Sequence, residues 1–262
     1  MFYTVYMWFY YLIFIVLGLC AGSFINVLLY RLDREGGIVT DRSKCRNCAT
    51  RLKWYDLIPV LSYIFLKARC RYCKKQISIL YPIVELSTAA VFLLFFIFNY
   101  SLFATDYWLL TIGYWLLAIS AFIALFFFDY LYMILPDKIT LPMIVLVLVY
   151  DIAALRWEAL NPILTGLTLA GLFAILHGVS KGNWMGFGDV KLILLIGLIF
   201  GFPVAPIIFI VSTWIASICG LTLILFRKAT VKSALPFGTF LSAISVIFIL
   251  FEHELSFLSK IF

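Results

Sequence analysis

The sequence predicts an all-α polytopic membrane protein with about eight transmembrane helices and one large polar loop. Three observations carry that expectation. Of the 262 residues, 65% are hydrophobic and only 13% charged, with a mean hydropathy of +1.10, whereas soluble domains hold about 45–50% apolar and about 25% charged residues. The apolar residues fall in runs close to the ~20 needed to cross a ~30 Å hydrocarbon core. The basic residues, in contrast, gather in one segment. A water-soluble globular enzyme is excluded.

Breakers and charges delimit the runs at 7–30, 82–99, 107–128, 139–155, 159–179, 190–203, 206–226 and 234–251. The first, Met7 to Tyr30, follows no basic segment and is longer than a signal peptide's apolar core, so it is expected to remain as a span. The 190–203 run is the shortest, and Gly197, Gly201 and Pro203 interrupt it. The chain thus divides into a first transmembrane helix (1–30), a basic cysteine-rich loop (31–80) and a multi-span domain (81–262). No internal repeat or long linker is visible.

Residues 31–80 hold 12 of the 20 basic residues against four acidic ones, a net +8, while the remainder of the chain sums to −1. A basic balance can signal nucleic acid. Here the charges lie between apolar spans, where topology and anionic lipid account for them, so membrane lipids and no nucleic acid are the expected partners. With the loop in the cytoplasm by the positive-inside rule, 18 of the 20 basic residues fall inside. Only Arg156 and Lys260 fall outside, together with both termini.

Cys45-Arg46-Asn47-Cys48 and Cys70-Arg71-Tyr72-Cys73 are two C-x2-C pairs separated by 21 residues. Each pair can offer two thiolates from one tight turn, and two such turns complete a tetrahedral structural zinc site. Disulfides are the alternative, but a reducing cytosol disfavours them. The loop's one sustained apolar run, Leu57 to Leu66, is too little to fold alone, so metal binding is expected to supply folding free energy. Cys20 and Cys219 lie in apolar spans and read as small hydrophobes.

Ionisable groups in or beside spans are costly, so each needs a reason. Asp129 ends the run Ala124-Leu125-Phe126-Phe127-Phe128, and Asp189 closes Gly186-Phe187-Gly188-Asp189. They are 60 residues apart in sequence but at one membrane face in this topology. Two carboxylates brought together in a low-dielectric, wet place share a proton. One can then activate water while the other polarises a carbonyl, the chemistry of an aspartic protease. Gly186 and Gly188 are expected to allow positive φ and close backbone approach. The structural alternative makes Asp189 a helix N-cap and Asp129 an interfacial carboxylate near lysines. Asp137, after Pro136, reads as a cap or turn residue.

In the first span Gly18 and Gly22 form a G-x-x-x-G pattern suited to close helix contact, and Ser23 and Asn26 share a face. Asn26 needs hydrogen-bond partners; packing and a site role both fit. Glu85 is expected to pair with a nearby Lys or Arg or to join a site. His177 reads as structural.

These residues resemble the prepilin peptidases, the type IV leader peptidases of the intramembrane aspartic protease group. The likeness runs through Gly22-Ser23-Phe24-Ile25-Asn26-Val27 with Tyr30-Arg31, the cysteine pairs and Asp56-Leu57-Ile58-Pro59-Val60-Leu61-Ser62. It continues through Tyr81-Pro82 with Glu85, Asp129 with Pro136-Asp137, Gly186 to Lys191, and Pro236-Phe237-Gly238. The resemblance implies cleavage of the basic leader of type IV pilin-like precursors at the cytoplasmic face of the bacterial cytoplasmic membrane. Its catalytic pair would be Asp129 and Asp189, with Gly186, Gly188, Lys191 and Asp137 in support. It further implies N-methylation of the new N-terminus with S-adenosylmethionine, for which Gly22, Ser23, Asn26, Glu85 and the zinc loop are candidates. A peptidase without methyltransferase activity, or a membrane transporter or assembly component, are the alternatives.

Overall fold

The computed structural model describes residues 2–32, 42–104, 107–155, 160–182, 185–228, 230 and 233–251. Among them no strand forms beyond two isolated bridges, Lys44 with Arg51 and Arg69 with Gln76. The helices are α1 (Phe2–Arg31), α2 (Leu61–Phe65), α3 (Leu80–Phe98), α4 (Trp108–Tyr132), α5 (Asp137–Tyr150), α6 (Leu160–Ser180), α7 (Phe187–Phe200), α8 (Val204–Leu225) and α9 (Phe237–Leu250). Each expected apolar run is a helix. Five of them, α1 from Met7, α3, α4, α6 and α8, are long and apolar enough to cross a membrane. The other three, α5, α7 and α9, have 14 residues each, roughly 21 Å of helix at 1.5 Å per residue. A π-helical turn, Asp151–Leu155, prolongs α5. Arg156, Lys232 and Lys260, used to orient the spans, lie outside the described residues.

The chain forms two units, Met1–Ser120 and Ala121–Phe262. In the first, α1 and α3 run antiparallel. Phe14 stacks on Phe96 with ring centroids 4.9 Å apart, Gly18 meets Ala89, Gly22 meets Glu85, and Asn26 Nδ2 donates to the Tyr81 carbonyl at 3.0 Å. A Cβ on Gly18 would lie 2.5 Å from Ala89 Cα, and one on Gly22 would lie 2.6 Å from Glu85 Cα. The G-x-x-x-G pattern therefore does what its spacing implies, bringing two backbones into contact. Between these helices, among described residues 42–79, only Asp56 and Cys70 are buried. Among its described residues the loop has little apolar core of its own, as expected; Trp54, Leu61, Ile64 and Phe65 are exposed.

In the second unit α7 is the hub, packing against α5, α6, α8 and α9. A helix apolar all round belongs in an interior, and Val190, Leu192, Ile193, Leu195, Ile196 and Leu198 are all buried. A Cβ on Gly197 would collide with the Gly166 backbone of α6, so this helix pair also meets through glycine. Gly197, one of the residues that interrupt the short 190–203 run, is thus the point at which α7 meets α6.

Candidate functional site

Two helix starts build the carboxylate site of the second unit. In α7 the N-cap is Gly186, in extended backbone at φ −70°, ψ 149°, so Asp189 is the third helical residue and not the cap. Its carboxyl reaches back toward the Gly186 N–H, the acidic half of a capping box. In α9 the N-cap is Pro236, which makes Thr239 the equivalent third residue. Asp129, at the end of α4 and buried, takes the place a cap would hold. Its Oδ2 accepts the Thr239 backbone N–H at 2.6 Å and the Thr239 hydroxyl at 3.0 Å. The N–H is one of the donors a helix start leaves unpaired, and the helix dipole there favours a negative charge. Asp129 is near enough to Asp189 to act on it electrostatically.

Leu135, between α4 and α5, touches both helix starts. A Cβ on Gly188 would lie 3.0 Å from Leu135 Cβ, and one on Gly238 would lie 3.1 Å from both Leu135 methyls and from Asp129 Oδ2. Close approach is thus the reason for glycine at 188 and 238. Neither glycine of Gly186-Phe187-Gly188-Asp189 adopts positive φ, which corrects that part of the expectation. At Gly186 a Cβ would meet Asp189 Oδ2 at an ordinary 3.7 Å. Asp137 caps nothing with its side chain; it pairs with Lys191 Nζ at 2.5 Å, joining α5 to the first turn of α7. His177, read as structural, bonds the Met185 carbonyl at 2.8 Å. Thr239 and Leu135 escape a search for titratable residues. The signal that could have found Thr239 is a repeated start, Phe187-Gly188-Asp189 and Phe237-Gly238-Thr239, 50 residues apart.

In the first unit the four cysteines converge: their Sγ atoms all lie within 4.8 Å of one another, with Cys45 and Cys73 3.8 Å apart. A tetrahedral metal–thiolate centre with ~2.3 Å bonds has edges of roughly 3.8 Å, so the donor set fits a metal ion. The two turns are copies. Cys45 N–H bonds the Thr50 carbonyl and Ala49 N–H returns to Cys45; Cys70 N–H bonds Lys75 and Lys74 N–H returns to Cys70. Ala49 and Lys74 both have positive φ, and the two bridges flank the turns identically. An eight-residue unit therefore repeats, 44–51 and 69–76, where no repeat was expected. Its signal was a basic residue followed by Cys-Arg-x-Cys. Burial pushes the Cys45 thiol up to about 11 against N–H groups of Cys48 and Asn47. Hydrogen bonds from Thr50 hold Cys48 down to about 6, and the Cys73 N–H lowers Cys70.

Glu85, buried on α3, accepts the Val60 backbone N–H at 2.8 Å, so its partner is a backbone donor instead of the expected Lys or Arg. Val60 is held at φ 59°, ψ −49°, an outlier for a β-branched residue. Ser23 lies beside the same carboxyl. Asp56 is clamped by Arg71 Nε at 2.7 Å. Ser23, Asn26 and Glu85 share the wall of a cavity of about 670 Å³ with residues of both cysteine turns.

Comparison with known proteins gives this arrangement a family. The bacterial peptidase A24 N-terminal domain matches residues 16–99, and the type IV leader peptidase family matches residues 116–225. A prepilin leader peptidase/N-methyltransferase of Vibrio cholerae is 34% identical over 80% of this chain and 85% of its own length. One of Pseudomonas putida is 30% identical over 92% of this chain and 90% of its own. One of Myxococcus xanthus is 51% identical over 29% of this chain and 23% of its own. No solved structure matches. The chain belongs to the type IV leader peptidase family.

Proposed function

We propose that this chain is a bifunctional enzyme of the bacterial cytoplasmic membrane. It cleaves the basic leader from type IV prepilin-like precursors at the cytoplasmic face and then N-methylates the exposed residue with S-adenosylmethionine. The observation that carries the peptidase is the pair of carboxylates held at two helix starts in unlike surroundings. Asp129, with two donors from Thr239, is the ionised base; Asp189, at the start of α7, is the acid. Asp129 takes a proton from water as its oxygen bonds to the scissile carbonyl carbon, and Asp189 gives its proton to the carbonyl oxygen. When the resulting diol collapses the C–N bond breaks, the proton on Asp129 goes to the leaving amine, and Asp189 recovers one from the diol hydroxyl. Lys191 and Asp137 hold the start of α7 in register.

The metal and the membrane face follow from compartment and chemistry. Zinc suits four thiolates kept reduced in the cytosol, and when bound it supplies a structural cross-link between the two cysteine turns. A precursor with a basic leader and an apolar helix keeps its leader on the cytoplasmic side by the positive-inside rule, where an eight-pass topology puts both aspartates. Asp129→Asn and Asp189→Asn should each abolish release of leader from a precursor peptide in reconstituted membranes, with the protein still folded and inserted. Cleavage by either variant at the wild-type rate would dismiss the pair.

A further inference from the structure

Between α1 and α3 the basic loop carries an apolar face left open by the described residues. Trp54, Leu61, Ile64 and Phe65 are exposed, Phe65 by 80%, and the last three share one side of the single turn of α2 at i, i+3 and i+4. Exposed apolar side chains gathered on one element mark an interaction surface. Its depth shows what it meets. Glu85 is the sixth residue of α3, roughly 7.5 Å along the axis from the helix start. Ser23, beside the same carboxyl, stands eight residues before the end of α1, roughly 12 Å at the same rise. The N–H of Val60, the N-cap of α2, reaches Glu85 at 2.8 Å. The start of α2 therefore sits inboard of both helix ends, beside the stretch that two membrane-capable helices carry into the bilayer.

Phe65 also borders a hollow of about 520 Å³ whose wall includes Lys67, Arg69, Arg71 and Lys74 and no acidic residue. Arg71 is taken by Asp56 at 2.7 Å. Lys67, Arg69 and Lys74 are exposed, and among the described residues none of the three forms a salt bridge. Their backbone is fixed: the Lys67 N–H bonds the Ile64 carbonyl, the Arg69 N–H bonds Leu66 and the Lys74 N–H bonds Cys70. Three cations without counterions around a hollow with an apolar edge describe an anion that carries a hydrocarbon tail. We infer that α2 lies in the adjacent leaflet as an interfacial wedge, where Lys67, Arg69 and Lys74 seat the phosphate of an anionic phospholipid whose acyl chains run along Leu61, Ile64 and Phe65. In the topology proposed above this is the cytoplasmic leaflet. The occupant is a lipid and not a soluble anion because the cations adjoin an apolar face that already stands at membrane depth. Part of the loop's positive charge is thus a built headgroup site, beyond a general attraction to the surface.

Two measurements on the full-length protein test the site, and neither reads peptidase or methyltransferase activity. In detergent, native mass spectrometry with phosphatidylglycerol should show lipid retained by the wild type, with a dissociation constant that rises about fivefold for each charge removed and so about 100-fold in the triple variant Lys67→Gln, Arg69→Gln, Lys74→Gln. An unchanged helical spectrum would show that the variant folds. Equal retention by wild type and variant would overturn the site, and loss of the lipid to millimolar inorganic phosphate would give the cradle to a soluble anion instead. In the second measurement Phe65→Trp adds one emitter to the seven native tryptophans, and the protein is reconstituted into vesicles of phosphatidylglycerol and phosphatidylcholine brominated near the top of the acyl chains. The added emission should be quenched by bromine and shielded from aqueous iodide. Emission quenched by iodide and untouched by bromine would put α2 in water, overturning the proposal and leaving its apolar face to a cytoplasmic protein.

Discussion

The two glycines of Gly186-Phe187-Gly188-Asp189 should behave unlike each other when replaced by alanine. Gly186 has extended φ and ψ open to any residue, and its Cβ would sit 3.7 Å from the nearest atom, an ordinary contact. A Cβ at Gly188 would press on Leu135 Cβ at 3.0 Å, and one at Gly238 on the Leu135 methyls and Asp129 Oδ2 at 3.1 Å. Against a normal separation beginning at 3.4 Å, these fall short by about 0.3–0.4 Å. At Gly188 the neighbour is Cβ, close to backbone, so it gives way poorly and passes the displacement through its methyls toward Gly238 and Asp129. Alanine gains about 0.5–1 kcal/mol over glycine inside a helix, which offsets much of the crowding, so both variants should stay folded. Sub-ångström misplacement of a reacting group lowers rates by about 10–100-fold, or about 1.4–2.7 kcal/mol of transition-state stabilisation. Measured as kcat/KM on a precursor peptide, Gly188→Ala and Gly238→Ala should lose that much, and Gly186→Ala should stay within about threefold of wild type. If Gly186→Ala proved as impaired as Gly188→Ala, the packing argument around Leu135 would be refuted, and the glycines would instead serve a substrate lying on the loop.

Two further outcomes can be checked. Gly22→Ala should lower thermal stability by about 1–3 kcal/mol, the cost of overpacking, because its Cβ would lie 2.6 Å from Glu85 Cα. Gly113→Ala, with nothing within 4 Å, should raise it by about 0.5–1 kcal/mol; equal unfolding temperatures for the two would contradict the α1–α3 contact. Metal affinity, followed by chelator competition, should fall at least about tenfold per pH unit on acidification near neutrality, since Cys45, at about 11, keeps a proton the ion must displace. The fall should steepen below about 6, where Cys48 also binds a proton. An affinity flat from pH 8 to 6 would argue against thiolate ligation.

Why much of this was legible in the sequence, and some was not, follows from the range of each interaction. Helices are local: an apolar run satisfies its own backbone as a helix, and each of the eight runs is one, five of them long enough to cross a bilayer. The cysteine turns and the G-x-x-x-G face are local too, since their spacing alone fixes the geometry. Asp129 and Asp189 stood out because charge beside a span is costly. What escaped notice depends on residues far apart. Thr239 is 110 positions from Asp129 and ordinary in composition. Leu135 matters only because two helix starts converge on it. The sequence signal at Gly186 and Gly188 was the same residue type twice, and only the neighbours distinguish an open position from a crowded one. Val60 at positive φ could not be anticipated, because the carboxylate that accepts its N–H, Glu85, lies on another helix.

Val60 also gives the metal a reach beyond its ligands. When an ion joins Cys45 to Cys73, it ties the intervening chain into a ring, a closure worth roughly 3.5 kcal/mol by the loop-entropy rule for a cross-link. Inside that ring the backbone is preloaded: Val60, Lys67 and Ala68 all sit at positive φ, at a cost of order 1–3 kcal/mol each for non-glycine residues. The ring acts as a clasp under tension, and the Val60 N–H is the catch that engages Glu85. Releasing the clasp would let Val60 relax, withdraw the donor from a buried carboxylate and loosen Arg46 in the same movement. Loss of one ion at these buried and half-buried thiols would thus be felt at a side chain packed between two membrane helices.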